Sequence, residues 1–214
     1  LAGCDLVIEA AEDPEAGRAL LSAAAQAVKP GTVLAVTSVD GPSSSPHPSP
    51  FNGRAPLDSS VIRQAMATGR PSDVVGLHLP EPEAQAVPAP LAEIAATVVT
   101  APDVADRAAD LAGRLGLTVV RCRDRAGFIV DALRFPYLND AAAMLGAGYA
   151  DADSIDAAMT LGCGYPTGPI ADLDRLGLAR AVTVLNALHT ESRDPALAPT
   201  PLLVEHVTAG TPLR

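Results

Sequence analysis

The chain has 214 residues, with 25 acidic and 15 basic side chains and a formal charge of −10 at pH 7. That balance argues against nucleic acid: DNA or RNA needs a basic face to replace its released counterions, and here the sole lysine is Lys29 and the arginines form no run. At 48% hydrophobic the chain can bury a sizeable core in one domain or two small ones, yet its apolar runs fall far below the roughly 18 residues of a membrane span.

In chain order, Leu6-Val7-Ile8 is a short apolar run of the kind a buried parallel strand shows. Pro14 then stands where a first helical turn tolerates proline, ahead of the alanine-rich stretch Glu15–Val28. After Lys29-Pro30-Gly31 a second strand is expected at Thr32–Val36. Val74–Leu77 reads as a third, Leu91–Val99 as a fourth, and Leu117–Arg121 as a fifth, following a helix over Asp103–Leu115. Strands alternating with helices predict a mostly parallel sheet with helical cover. From Gly127 onward the pattern is helical: Phe128–Leu145, Ala152–Leu161, Ile170–Leu188 and Pro201–Ala209, separated by glycine- and proline-containing breaks.

Between the second and third strands, Gly41–Ser60 holds 5 Pro, 2 Gly and 6 Ser in 20 positions, a composition too poor in apolar side chains to order itself, and is expected to be a surface insertion. The three cysteines, Cys4, Cys122 and Cys163, are widely spaced and odd in number and match no zinc-ligand pattern. A reduced, cytoplasmic location is the simplest expectation, and the N-terminus has neither the basic nor the long apolar region of a signal peptide. Gly162-Cys-Gly164-Tyr-Pro-Thr-Gly168 has the glycines of a dinucleotide loop but follows a helix rather than a strand, so it reads as a helix stop and tight turn.

Five ordered blocks carry a family resemblance. They are Asp5-Leu-Val-Ile-Glu-Ala-Ala-Glu12, Val74-Val-Gly-Leu-His78, Leu91-Ala-Glu93-Ile, Asp124-Arg-Ala-Gly-Phe-Ile-Val-Asp131 with Pro136-Tyr-Leu-Asn139, and Ile155–Pro169 with Asp172–Gly177. Together, from about Ala2 to Leu203, they resemble the 3-hydroxyacyl-CoA dehydrogenase family. The resemblance implies an α/β Rossmann-type NAD domain, here lacking its N-terminal glycine-rich part, over residues 1–124. It further implies an all-α C-terminal domain over 125–214, which usually forms a homodimer. The implied chemistry is NAD-dependent interconversion of 3-hydroxyacyl-CoA and 3-ketoacyl-CoA in fatty-acid metabolism, with an acyl-CoA substrate, no nucleic-acid or membrane partner and no metal.

His78 matches the family's base, which removes the hydroxyl proton as hydride leaves the same carbon. Glu93, 15 residues on, matches the carboxylate that orients it. Glu12 matches a cofactor-side glutamate. The serine that touches cofactor and substrate aligns to Val39, with Ser38 adjacent and able to serve.

Departures cluster at the chemistry. The family's asparagine is Asp131, and an ionised aspartate can only accept where an amide could donate; beside Glu93 it would favour protonated His78 and make a poorer base. The expected lysine is Gly17, and Glu81 stands where an asparagine beside the nicotinamide is usual. The alternative implied by these changes is a catalytically impaired, dehydrogenase-like half retained for helical packing or dimerisation.

Overall fold

The computed structural model describes residues 3–11, 14–37, 60–80 and 90–214, which form two compact units meeting in sequence between Ile129 and Val130. The expected insertion at 41–60 lies outside the described residues except for Ser60.

The first unit is a five-stranded sheet in the order β1 (Leu6–Glu9), β2 (Val33–Thr37), β3 (Val74–His78), β4 (Leu91–Ala96), β5 (Thr118–Arg123). Neighbours are parallel except β3 and β4, which are antiparallel. Helices α1 (Pro14–Ala27), α2 (Val61–Ala67) and α3 (Pro102–Arg114) cover it. Because side chains alternate across a strand, the sheet sends Val33, Ala35, Val75, Leu77, Ala92 and Ile94 against Val104, Ala108 and Ala112 of α3. Leu34, Val36 and Val74 go to the opposite face, against Leu21 and Ala25 of α1 and Val61 and Ala65 of α2. Burial on both faces is why these strands read as continuous apolar runs.

Two of this unit's helix ends are closed by distant side chains. α1 has no basic residue in its last turn, and Arg70 supplies the missing donors, reaching the carbonyls of Ala25, Val28 and Lys29 while its guanidinium pairs with Asp73. α2 is absent from the sequence expectation. Its N-cap, Ser60, makes no side-chain cap bond; Asp124 instead accepts from the Val61 and Ile62 amides at 3.3 and 2.9 Å. β4 is shorter than the expected Leu91–Val99, because Thr97–Thr100 turns away and Thr100 Oγ1 bonds the Val74 carbonyl.

The second unit is helical: α4 (Val130–Gly146), α5 (Ala152–Ala157) running into a π turn at Ala158–Gly162, α6 (Pro169–Leu176), α7 (Leu178–Ser192) and α8 (Pro201–Ala209). Phe135, Leu138, Ile170, Leu173, Ala181, Leu185 and Leu203 form its core. Where the periodicity suggests one helix over Ile170–Leu188 there are two, because Gly177 at φ 91° adopts a conformation that breaks the helix and that side chains resist. Asp151 caps α5 by accepting from Ser154 N at 2.7 Å, a bond that holds its carboxyl below the usual range. Asp156 accepts from the Ile170 and Ala171 amides that open α6. Among the described residues no helix is long and apolar enough to cross a membrane.

Candidate active site

The site lies in the first unit, on the sheet face turned away from α3. His78 ends β3, and Glu93 is the third residue of β4; the antiparallel register sets the two directly opposite each other. The 15-residue spacing is therefore closed by strand pairing, not by proximity in sequence. Alternation fixes the side: Val75 and Leu77 on β3 and Ala92 and Ile94 on β4 pack under α3, so the residues between and beyond them, Gly76, His78 and Glu93, take the other face.

Glu93 is completely buried and His78 nearly so. His78 Nδ1 lies 2.6 Å from Glu93 Oε2. An ionised carboxylate has no proton to give, so Nδ1 is the donor and the imidazole is left with Nε2 as its acceptor. Glu93 Oε1 accepts from the Ile129 amide at 3.0 Å. That amide is placed by a turn in which Gly127 and Phe128 are both left-handed, at φ 69° and 45°. The Phe128 ring then meets His78 edge-on, with centroids 5.9 Å apart. On the neighbouring strand, burial first and the Glu93 and Asp124 carboxylates next push the Cys122 thiol up to about 11, so it is not a nucleophile at neutral pH.

In the helical unit, Asp131 is buried in the first turn of α4, and its Oδ2 receives Arg180 Nη2 from the first turn of α7 at 3.2 Å. Arg180 also lies over the Phe135 ring, 5.6 Å from its centroid. A second buried ion pair follows one turn along: Asp172 takes both Arg134 and Arg175. The Asp131 carboxylate thus comes with its own counter-charge.

Of the other expected site residues, Ser38, Glu12 and Glu81 lie outside the described residues. The Glu9 carboxylate accepts from the Ala11 amide and rests against α1 where Gly17 has no side chain; a Cβ there would come within 2.8 Å of it. A groove of about 600 Å³, lined by Val7–Ala11 and by Leu20, Leu21 and Ala24 of α1, opens beside it. Among the described residues no cluster of His, Cys, Asp and Glu could hold a metal ion. Gly162 is the last residue of the π turn that ends α5, and Gly164 follows it before α6, the helix-stop position expected of this segment.

Sequence reasoning missed the Ile129 amide, the Phe128 ring and Arg180. Gly127-Phe128 was the available signal for the first two, since glycine marks a left-handed turn. Arg180 had no local signal.

Residues 127–214 match the model of the 3-hydroxyacyl-CoA dehydrogenase C-terminal domain. A 3-hydroxybutyryl-CoA dehydrogenase of Mycobacterium tuberculosis is 39% identical over 152 residues, 70% of this chain and 52% of that protein. A probable 3-hydroxybutyryl-CoA dehydrogenase of Deinococcus radiodurans is 32% identical over 211 residues, 98% of this chain and 68% of that protein. Among solved structures, Mycobacterium tuberculosis FadB2 superposes with a TM-score of 0.80 at 33% identity, covering 96% of this chain and 66% of that one. The chain thus spans about half to two thirds of the length of these relatives. With the five-stranded sheet, the helical unit and the buried histidine–glutamate pair, these likenesses establish that the chain belongs to the 3-hydroxyacyl-CoA dehydrogenase family.

Proposed function

We propose that His78 and Glu93 are the acid–base pair of an oxidoreductase that interconverts 3-hydroxyacyl-CoA and 3-ketoacyl-CoA. The observation that carries this reading is the buried 2.6 Å contact between His78 Nδ1 and Glu93 Oε2. With Nδ1 committed to Glu93, Nε2 is the atom that takes the hydroxyl proton of a bound 3-hydroxyacyl group. Glu93, held also by the Ile129 amide, orients the ring and stabilises the imidazolium that results. In the reverse direction the same imidazolium returns the proton to the ketone oxygen. Asp131 and Ser38 belong to the substrate side of this reading, Glu12, Ser38 and Glu81 to the cofactor side, and the cytoplasm is its setting.

NAD is the hydride acceptor that the reading requires. A dinucleotide fold seats its diphosphate on a glycine-rich turn that joins a strand to a helix N-terminus, and these 214 residues contain no turn of that kind after a strand.

The departures Asp131, Gly17 and Glu81 favour a second reading, a catalytically impaired, dehydrogenase-like half kept for packing or dimerisation. Leu133, Tyr149 and Leu161 give the helical unit exposed apolar surface for a second copy.

The test uses 3-hydroxybutyryl-CoA and NAD. The 214-residue chain alone should form no NADH. The same chain preceded by the glycine-rich strand–turn–helix of a relative should form it, and His78→Ala should lower that rate by about 10²- to 10⁴-fold. NADH formation that survives His78→Ala overturns the acid–base assignment. A folded, extended chain that stays silent favours the second reading.

A further inference from the structure

We propose that Phe128 is a positioning residue for the His78–Glu93 pair, its ring steadying the imidazole and its left-handed backbone delivering the Ile129 amide to Glu93. The proposal rests on the acid–base reading for its catalytic meaning, though the geometry can be tested without turnover.

An aromatic residue at φ 45° is rare, because the side chain crowds its own backbone, and such a conformation persists only where its surroundings over-determine it. Three contacts do so here. The ring meets His78 edge-on at 5.9 Å with an interplanar angle of 62°. It also packs on the apolar cluster of α1, α2 and the sheet. Directly beneath it β3 carries Gly76, where a Cβ would come within 2.9 Å of Phe128 Cζ and 2.8 Å of Val61 Cγ2. The sheet is thus cleared of side chain at the one position where the ring enters.

The backbone does the second part. Reversing direction at Gly127 and Phe128 turns the next amide, Ile129 N–H, back toward the sheet, where it meets Glu93 Oε1 at 3.0 Å. The other oxygen, Oε2, holds His78 Nδ1 at 2.6 Å. With its two oxygens held from different elements, the carboxylate cannot rotate without breaking one bond. Glu93 therefore presents a fixed acceptor to the histidine, and the histidine presents a fixed Nε2. A right-handed residue at 128 would start the helix early and carry the amide elsewhere.

The experiment is solution NMR on the full, isotope-labelled chain, reading the downfield Nδ1 proton of His78 and the hydrogen exchange of the Ile129 amide. In Phe128→Ala the Nδ1 proton resonance is expected to be lost to solvent exchange, and the Ile129 amide to exchange about tenfold faster, while amides of β2 and α3 keep their protection. Phe128→Gly adopts the left-handed turn without strain, so it should recover Ile129 protection but not the His78 proton, separating the two contributions. Phe128→Leu, which keeps the apolar volume, replaces alanine if that variant does not fold, with the same expected loss of the His78 proton. Both signals unchanged in folded Phe128→Ala or Phe128→Leu overturn the proposal, as does a retained His78 proton in Phe128→Gly. Failure of the extended chain to form NADH would sink the dehydrogenase reading and leave these signals as they are.

Discussion

At the scale of single residues, Asp131 gains a different meaning once Arg180 is seen beside it. Taken as a lone replacement for an asparagine, it is a lost donor. Paired with a buried guanidinium at 3.2 Å, it is half of a charge-compensated unit. Removing one member of a buried pair costs about 3–5 kcal/mol because the other charge stays behind without its partner. Asp131→Asn is therefore expected to be strongly destabilising in urea unfolding, although the resemblance places an asparagine there. Adding Arg180→Met should recover most of the loss. A single variant as stable as the parent, or a double variant no better than the single, would show that the two are not coupled. The contrast with His78 and Glu93 marks where the sequence is informative. Those two stand inside blocks of recognisable order, whereas a first-turn arginine on α7 and a first-turn aspartate on α4 are 49 residues apart with nothing local to join them. The Ile129 donor is a backbone amide, a group every residue but proline has, and so could not be singled out from composition or spacing.

At the scale of elements, β2, β3 and β4 were legible because burial on both faces keeps them largely apolar, and α3 because its small apolar residues recur with helical spacing. α2 was not, since a seven-residue helix is too short to show a period and its start is fixed by a carboxylate 63 residues away. The split between α6 and α7 was also hidden: the apolar pattern runs through it, and only Gly177 marks the break. Asp124→Ala tests the remote cap. It should destabilise the chain by about 1 kcal/mol, the usual cost of losing a cap, and hydrogen exchange should show the loss concentrated in the amides of α2. Uniformly raised exchange, or none, would mean that Asp124 acts elsewhere.

At the scale of the whole chain, β1 is an edge of the sheet among the described residues, paired with β2 alone. Ile8 on this strand and Leu20 on α1 beside it are exposed. An unpaired edge with apolar neighbours is a template for another strand. The 214-residue chain is thus expected to self-associate with rising concentration, and Ile8→Lys, which puts a charge on that edge, should suppress the association in sedimentation velocity. Sedimentation that does not change with concentration, or that ignores the lysine, would argue that the edge is already protected.

The antiparallel pairing of β3 with β4 carries a last consequence. A slip of one residue in that register would swing the whole of β4 to its other face, driving Glu93 into the apolar layer under α3 and lifting Ile94 out of it. The ordinary alternation of Val75, Leu77, Ala92 and Ile94 therefore works as a fidelity check. Any misaligned sheet pays in buried carboxylate before it can present a misaligned acid–base pair, so a folded chain is by construction a correctly indexed one.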